Sequence, residues 1–154
     1  MALFLVRHGR SLSKNVDHDQ GLSEEGILGV EQIANTVKHY GIHVSRIEHS
    51  GKKRAQQTAD IFASVLNPKG GVQERSGLKP MDDVISFANE ISGKDNLMLV
   101  GHLPFMSKLA SYLITGSTDT PVFSFQNSGT LCMDQDTDTR TWIIKWALIP
   151  QQTR

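Results

Sequence analysis

Two apolar runs constrain this chain more than anything else in its sequence. Leu3-Phe4-Leu5-Val6 and Leu97-Met98-Leu99-Val100 are continuous rather than alternating, the pattern of strands buried on both faces. Each run leads straight into residues that can carry chemistry: Arg7-His8-Gly9 after the first, Gly101-His102 after the second. Open α/β sheets hold their ligands just beyond the carboxyl ends of their strands, so both histidines fall where a site would be built. Gly9 lets the backbone turn tightly and brings amide N–H groups close to whatever binds there.

Helix and strand patterns alternate between these runs, which predicts an α/β fold with a largely parallel sheet. Ser23 is a good N-cap, and Glu24 and Glu25 favour the positive end of a helix. Ile27, Val30, Ile33, Ala34 and Val37 follow at helical spacing, and Gly41 is the stop. A short strand is expected around Arg46-Ile47-Glu48, then a helix carrying Ala55, Ala59, Phe62, Val65 and Leu66. Pro68-Lys69-Gly70-Gly71 reads as a loop, and a third helix carries Val84, Phe87, Ala88 and Ile91. Pro104 suits the first turn of a helix whose core face holds Phe105, Leu109, Tyr112 and Leu113. The tail predicts an antiparallel hairpin, Thr130–Met133 against Thr141–Trp146, with Trp142 and Trp146 on one face at strand period.

Composition narrows the function classes. The 154 residues suffice for one domain that buries roughly 70% of its unfolded surface. Lys+Arg and Asp+Glu balance at 16 each, so no global field recruits nucleic acid or a membrane surface. Anion attraction must be local. One cysteine, Cys132, excludes an internal disulfide and fits a reducing compartment. With no signal-peptide pattern and no transmembrane stretch, a cytoplasmic location is expected.

One chemistry that these residue types can serve is phosphoryl transfer, which requires positive charge around three equatorial oxygens and a nucleophile in line with the leaving group. Arg7 and Arg54 suit the first task, because a guanidinium stays charged and can hold two phosphate oxygens at once. His8 suits the second: an imidazole with a pKa near 6.5 is largely neutral, and nucleophilic, at pH 7. Taken singly, Arg-His-Gly is a strand-end turn, Gly101-His102-Leu103-Pro104 a helix entry and Arg54 a solvated helix charge. Their coincidence at the ends of alternating elements favours function. Ser11 is either a pocket-edge hydroxyl or part of a polar loop, and Arg10 is more readily an exposed charge. Lys52 and Lys53 either steer an acidic partner or are solvated. His18, His39, His43 and His49 show no metal-ligand spacing, although His18 is flanked by Asp17 and Asp19; no metal or organic cofactor is expected.

Four segments, Phe4-Leu5-Val6-Arg7-His8-Gly9, Leu22-Ser23-Glu24-Glu25-Gly26, Arg54-Ala55-Gln56-Gln57-Thr58 and Val100-Gly101-His102-Leu103-Pro104, together make the chain resemble the histidine phosphatase (phosphoglycerate mutase-like) superfamily. The resemblance runs from Met1 to about Leu148 and is closest to the small phosphohistidine phosphatases of the SixA type. It implies a single domain over residues 1–154, a three-layer α/β/α sandwich with a mostly parallel central sheet and antiparallel C-terminal strands. It implies a covalent phosphohistidine on His8, with Arg7, Gly9, Arg54 and His102 around the phosphate; His102 would hydrogen-bond the transferring group. The substrate class it points to is protein phosphohistidine, for example on a histidine phosphotransfer domain. The alternatives are a small-molecule phosphomonoesterase of the same fold and a non-catalytic phosphate-binding module.

Three departures from the family pattern bear on this. Ser50-Gly51 replaces the usual Ser-Pro, predicting a looser loop. Gln20-Gly21-Leu22-Ser23 lacks the basic residue of Arg-Pro-Leu-Thr. No marked acidic motif follows the arginine helix; Asp82 and Asp83 are the stand-ins, as proton donors or simply as helix N-terminal acids. General acid catalysis is typically worth about 10²–10⁴-fold for an alkoxide leaving group. A leaving imidazole is readily protonated and depends on it less, so a missing acid favours phosphohistidine.

Overall fold

The computed structural model describes residues 2–93 and 95–150. Their elements run β1 (Ala2–Arg7), α1 (Glu24–His39), β2 (Arg46–His49), α2 (Lys53–Leu66), β3 (Val72–Glu74), α3 (Val84–Ala88), β4 (Leu97–Gly101), α4 (Phe105–Thr115), β5 (Thr130–Gln135) and β6 (Trp142–Leu148). One six-stranded sheet has the order β3-β2-β4-β1-β5-β6. The pairs β1–β4, β2–β4 and β2–β3 are parallel, whereas β1–β5 and β5–β6 are antiparallel.

The layers follow from the period-2 alternation of buried strands. Leu3, Leu5, Leu97 and Leu99 face one side and pack with Val84 and Phe87 of α3 and Phe105 and Leu109 of α4. Phe4, Val6, Ile47, Met98 and Val100 face the other and pack with Val30 and Ile33 of α1 and Ala59 and Phe62 of α2. Both strand runs are thus buried on both faces, giving the three-layer α/β/α sandwich.

Local details depart from the sequence expectations at four points. In α1 the Ser23 hydroxyl accepts a hydrogen bond from the Gly26 N–H, as an N-cap should, but Ile27 is exposed and Gly26 takes the buried position. The strand β3, three residues long, was not expected. The third helix ends at Ala88, so Ile91 reaches the core from a following turn. Finally, Trp142 and Trp146 do not share a face. The β5–β6 register shifts between Cys132 and Met133, so Trp146 pairs with Cys132 and Ile144 with Met133. The bulge inverts the alternation: Trp142 joins the α3–α4 side, while Trp146 packs on Phe4 at 6.0 Å between ring centroids.

For the site, register is what matters. Arg7 pairs with Gly101, and His49 pairs with Val100. Because β1, β4 and β2 run in one direction, His8, His102 and Ser50 all emerge at the same edge of the sheet. At the same end, β2 is tied to β3 through Glu48, which accepts hydrogen bonds from Arg75 and Gln73, each at 2.7 Å, and is only 3% exposed.

Candidate active site

His8 and His102 meet beyond the sheet edge with ring centroids 5.0 Å apart and planes inclined by 51°. Both are buried, at 8% and 1% exposure. Backbone bonds fix their positions: the His8 N–H donates to Gly101 O at 3.0 Å, and the Ser128 N–H donates to His8 O at 3.1 Å. The His8 ring has a determined tautomer. Its Nδ1 lies 2.6 Å from Gly9 O, and a carbonyl only accepts, so Nδ1 carries the proton. In the neutral ring the lone pair is therefore on Nε2.

Burial sets the charge state of both rings. Desolvation pushes His8 down to about 4 and His102 down to about 3, and the positive charges of Arg54 and Arg7 reinforce both shifts. Both imidazoles are neutral at pH 7, as a nucleophile must be.

The arginines arrive by different routes. Arg7, the last residue of β1, donates from a terminal guanidinium nitrogen to Phe125 O at 3.0 Å, while its Nε is buried without a partner. Arg54 lies in the first turn of α2. A hydroxyl bridges that turn to the loop after His8: the Gly9 N–H donates to Thr58 Oγ1 at 3.0 Å, and the Thr58 hydroxyl donates to Arg54 O at 2.8 Å. Gly9 has no room for a side chain, since a Cβ there would lie 2.7 Å from a Val30 methyl.

His102 is held by a residue that sequence reasoning missed. Ser50 Oγ lies 2.6 Å from His102 Nε2 and accepts from the Lys52 N–H at 3.3 Å. The other ring nitrogen, Nδ1, is buried without a partner. Nor is the Ser50-Gly51 loop loose. Gly51 has φ +92°, which proline cannot adopt, and a Cβ there would lie 2.7 Å from the Glu74 carboxyl group. Its N–H donates to His49 Nδ1 at 3.1 Å. Glycine at this position is a consequence of the backbone path, not a relaxation of it.

Two neutral histidines at the ends of parallel strands, with Arg7 closing β1 and Arg54 in the first turn of α2, have a counterpart in sequence. The family model of the histidine phosphatase superfamily (branch 1) matches residues 3–82. The chain belongs to this superfamily. Its fold is shared with several solved phosphatase structures. A protein histidine phosphatase SixA complexed with tungstate is 23% identical, with 96% of each chain covered and a TM-score of 0.80. A mycobacterial glucosyl-3-phosphoglycerate phosphatase complexed with VO3 is 16% identical, covers 94% of this chain and 97% of its own, and gives 0.71. A phosphoserine phosphatase from Entamoeba histolytica in complex with 3-phosphoglyceric acid is 16% identical, covers 97% and 98%, and gives 0.67. None of the curated protein sequences matches the chain.

The remaining candidates in this histidine phosphatase are placed as follows. Asp83 caps α3, accepting from the Ser86 N–H at 3.2 Å and the Ser86 hydroxyl at 2.8 Å. Those bonds hold its carboxyl below the ordinary range, the wrong direction for a group that must arrive protonated. Asp82 accepts from the Lys79 N–H at 2.8 Å. Arg10 pairs with Glu25 at 2.9 Å on the exposed surface, and Ser11 forms an isolated bridge with Leu22. Beside His18, the Asp17 carboxylate is taken by Lys53 Nζ at 2.8 Å and the Gly21 N–H at 2.9 Å. Among the described residues, no group of three or more His, Cys, Asp or Glu is placed to hold a metal ion, and no helix is long and apolar enough to cross a membrane.

Proposed function

We propose that this chain is a phosphatase that acts through a covalent phosphohistidine on His8, with protein phosphohistidine as its substrate class. The observation that carries the mechanism is the His8–His102 pair, 5.0 Å apart and neutral, with the Nε2 lone pair of His8 free. Arg7 and Arg54 hold the phosphoryl oxygens, and the Gly9 loop shapes the floor.

The chemistry divides into two displacements. His8 Nε2 attacks phosphorus, and a P–N bond forms as the bond to the substrate imidazole nitrogen breaks. The leaving imidazole keeps the electron pair and takes a proton from solvent. Water then attacks the phosphorylated His8, releasing inorganic phosphate, returning the electron pair to Nε2 and giving a proton to solvent. His102 donates to the transferring oxygens once anion binding raises its proton affinity. The phosphohistidine assignment is supported by the local backbone bonds that Asp82 and Asp83 accept, Asp83 as the cap of α3, which leave an alkoxide leaving group without a proton donor from that quarter.

The test compares kcat/KM for a phosphohistidine-bearing phosphotransfer domain with that for an alkyl phosphomonoester, using His8→Ala as the blank. A preference for phosphohistidine of about 10²-fold or more, the scale of a missing general acid, is expected. A preference for the monoester would replace this substrate class with small phosphate esters. No His8-dependent turnover of either substrate would leave a binding module. Vanadate should inhibit competitively. Chelators should have no effect, because Arg7 and Arg54 supply the positive charge that a metal would otherwise provide.

A further inference from the structure

Lys52 and Lys53 are adjacent in sequence but differ in their surroundings. Lys53 Nζ is neutralised by the Asp17 carboxylate at 2.8 Å. Lys52 is only partly exposed and makes no ion pair among the described residues. Its side chain also has no duty in the helix it precedes. Lys52 is the N-cap residue of α2, with extended backbone (φ −70°, ψ 143°) and no side-chain capping bond. Its place is nonetheless fixed close to the site. The Lys52 N–H donates to Ser50 Oγ at 3.3 Å, and that oxygen lies 2.6 Å from His102 Nε2.

The charge of Lys52 is felt inside the site. Together with His8, Arg54 and Arg7 it disfavours a proton on His102, after the larger effect of burial. No carboxylate is among the groups acting on His8 or His102. Arg7, Arg54 and Lys52 thus all act on the His102 ring, while the carboxyl group that approaches this loop, that of Glu74, sits beside Gly51. A pocket lined by these cations favours an anion.

We propose that Lys52 is a third substrate-binding cation, whose ammonium group takes a phosphoryl oxygen beside the Arg7 and Arg54 guanidiniums. This rests on the phosphatase reading of the site. A guanidinium offers planar, fixed forks, whereas an ammonium is a point charge on a flexible four-carbon stem. Lys52 therefore follows an oxygen that moves as phosphorus passes between two nitrogens, which the fixed forks of the arginines do less well.

The experiment measures vanadate inhibition and steady-state turnover for wild type, Lys52→Ala, Lys52→Arg and Lys53→Ala, with His8→Ala as the blank for turnover and thermal melting of each. Vanadate carries no protein portion, so it isolates the phosphoryl contact from any contact with a substrate surface. Lys52→Ala is expected to raise the vanadate Ki about tenfold or more, the scale of one charge-assisted hydrogen bond, with KM rising in parallel. Lys52→Arg should recover most of that loss. Lys53→Ala should stay within about twofold, as an exposed ion pair would. An unchanged vanadate Ki in Lys52→Ala overturns the proposal. So does a rise in KM for a protein substrate alone, which would make Lys52 a docking charge. Wild-type turnover that depends on His8 shows in the same experiment that the phosphatase reading stands, so failure of the Lys52 proposal is distinguishable from failure of that reading.

Discussion

Two hydroxyls, Ser50 and Thr58, organise the residues to which the chemistry is assigned. Among the described residues, Ser50 Oγ is the one hydrogen-bond partner of the His102 ring, since Nδ1 has none. Removing it leaves a buried imidazole free to rotate and both its nitrogens unpaired. Ser50→Ala should therefore lower kcat by about tenfold, the equivalent of one lost hydrogen bond of about 1.4 kcal/mol, with a smaller change in KM. Steady-state kinetics with parallel melting curves check this; a fall in melting temperature with kcat intact would make Ser50 a structural residue only. Neither hydroxyl was legible in the sequence. A serine or threonine that acts across a tertiary contact has no local signature, whereas Arg7, His8 and His102 were legible because each follows or ends an unmistakable buried strand. Gly51 was misread for the same reason: its φ of +92° and the Glu74 carboxyl beside it belong to the fold, not to the tripeptide.

At the scale of elements, the His8–Arg10 loop is clamped between two helices. Thr58 of α2 holds the Gly9 N–H, and the start of α1 holds Arg10: the Ser23 N–H donates to Arg10 O at 2.9 Å, and its hydroxyl does so at 3.2 Å. The approach is close enough that a Cβ on Gly26 would lie 2.0 Å from Arg10 O. Because that obstacle is backbone, it cannot rotate away. Gly26→Ala is expected to destabilise by about 1–3 kcal/mol or more, as overpacking does, and to impair turnover by moving the His8 loop. Gly29, one turn along α1, is the control. A Cβ there meets only Ser128 Oγ at 3.5 Å, so Gly29→Ala should be neutral or stabilise by about 0.5–1 kcal/mol through helix propensity. Urea denaturation of the pair checks the contrast; equal effects would refute the clamp. Periodicity located these helices well because their apolar stripes are long. It failed on β3, too short to carry a pattern, and on the β5–β6 bulge, where one extra residue reversed the side on which Trp142 and Trp146 fall.

At the scale of the whole molecule, the site makes folding depend on pH in a direction that can be worked out. An imidazole has a pKa of about 6.5 in an unfolded chain, whereas folding lowers His8 to about 4 and His102 to about 3. Between pH 6.5 and 4 the unfolded chain binds protons that the folded one refuses, so stability falls as pH is lowered through 6.5. Each histidine contributes a loss on the order of 1–2 kcal/mol by pH 5. Carboxylates whose pKa is lowered on folding, such as Asp17 at about 2, lose their contribution from near pH 4 downward and leave this window to His8, His102 and His49, whose pKa burial also lowers. The double variant His8→Asn with His102→Gln should therefore show a flatter stability curve from pH 7 to 5 than wild type. A bound phosphate dianion stabilises the protonated rings, so saturating phosphate should also flatten the wild-type curve. Urea denaturation across this range decides the matter. A flat wild-type curve without phosphate would mean that folding leaves both rings near the ordinary 6.5, and the lowering by burial would be refuted.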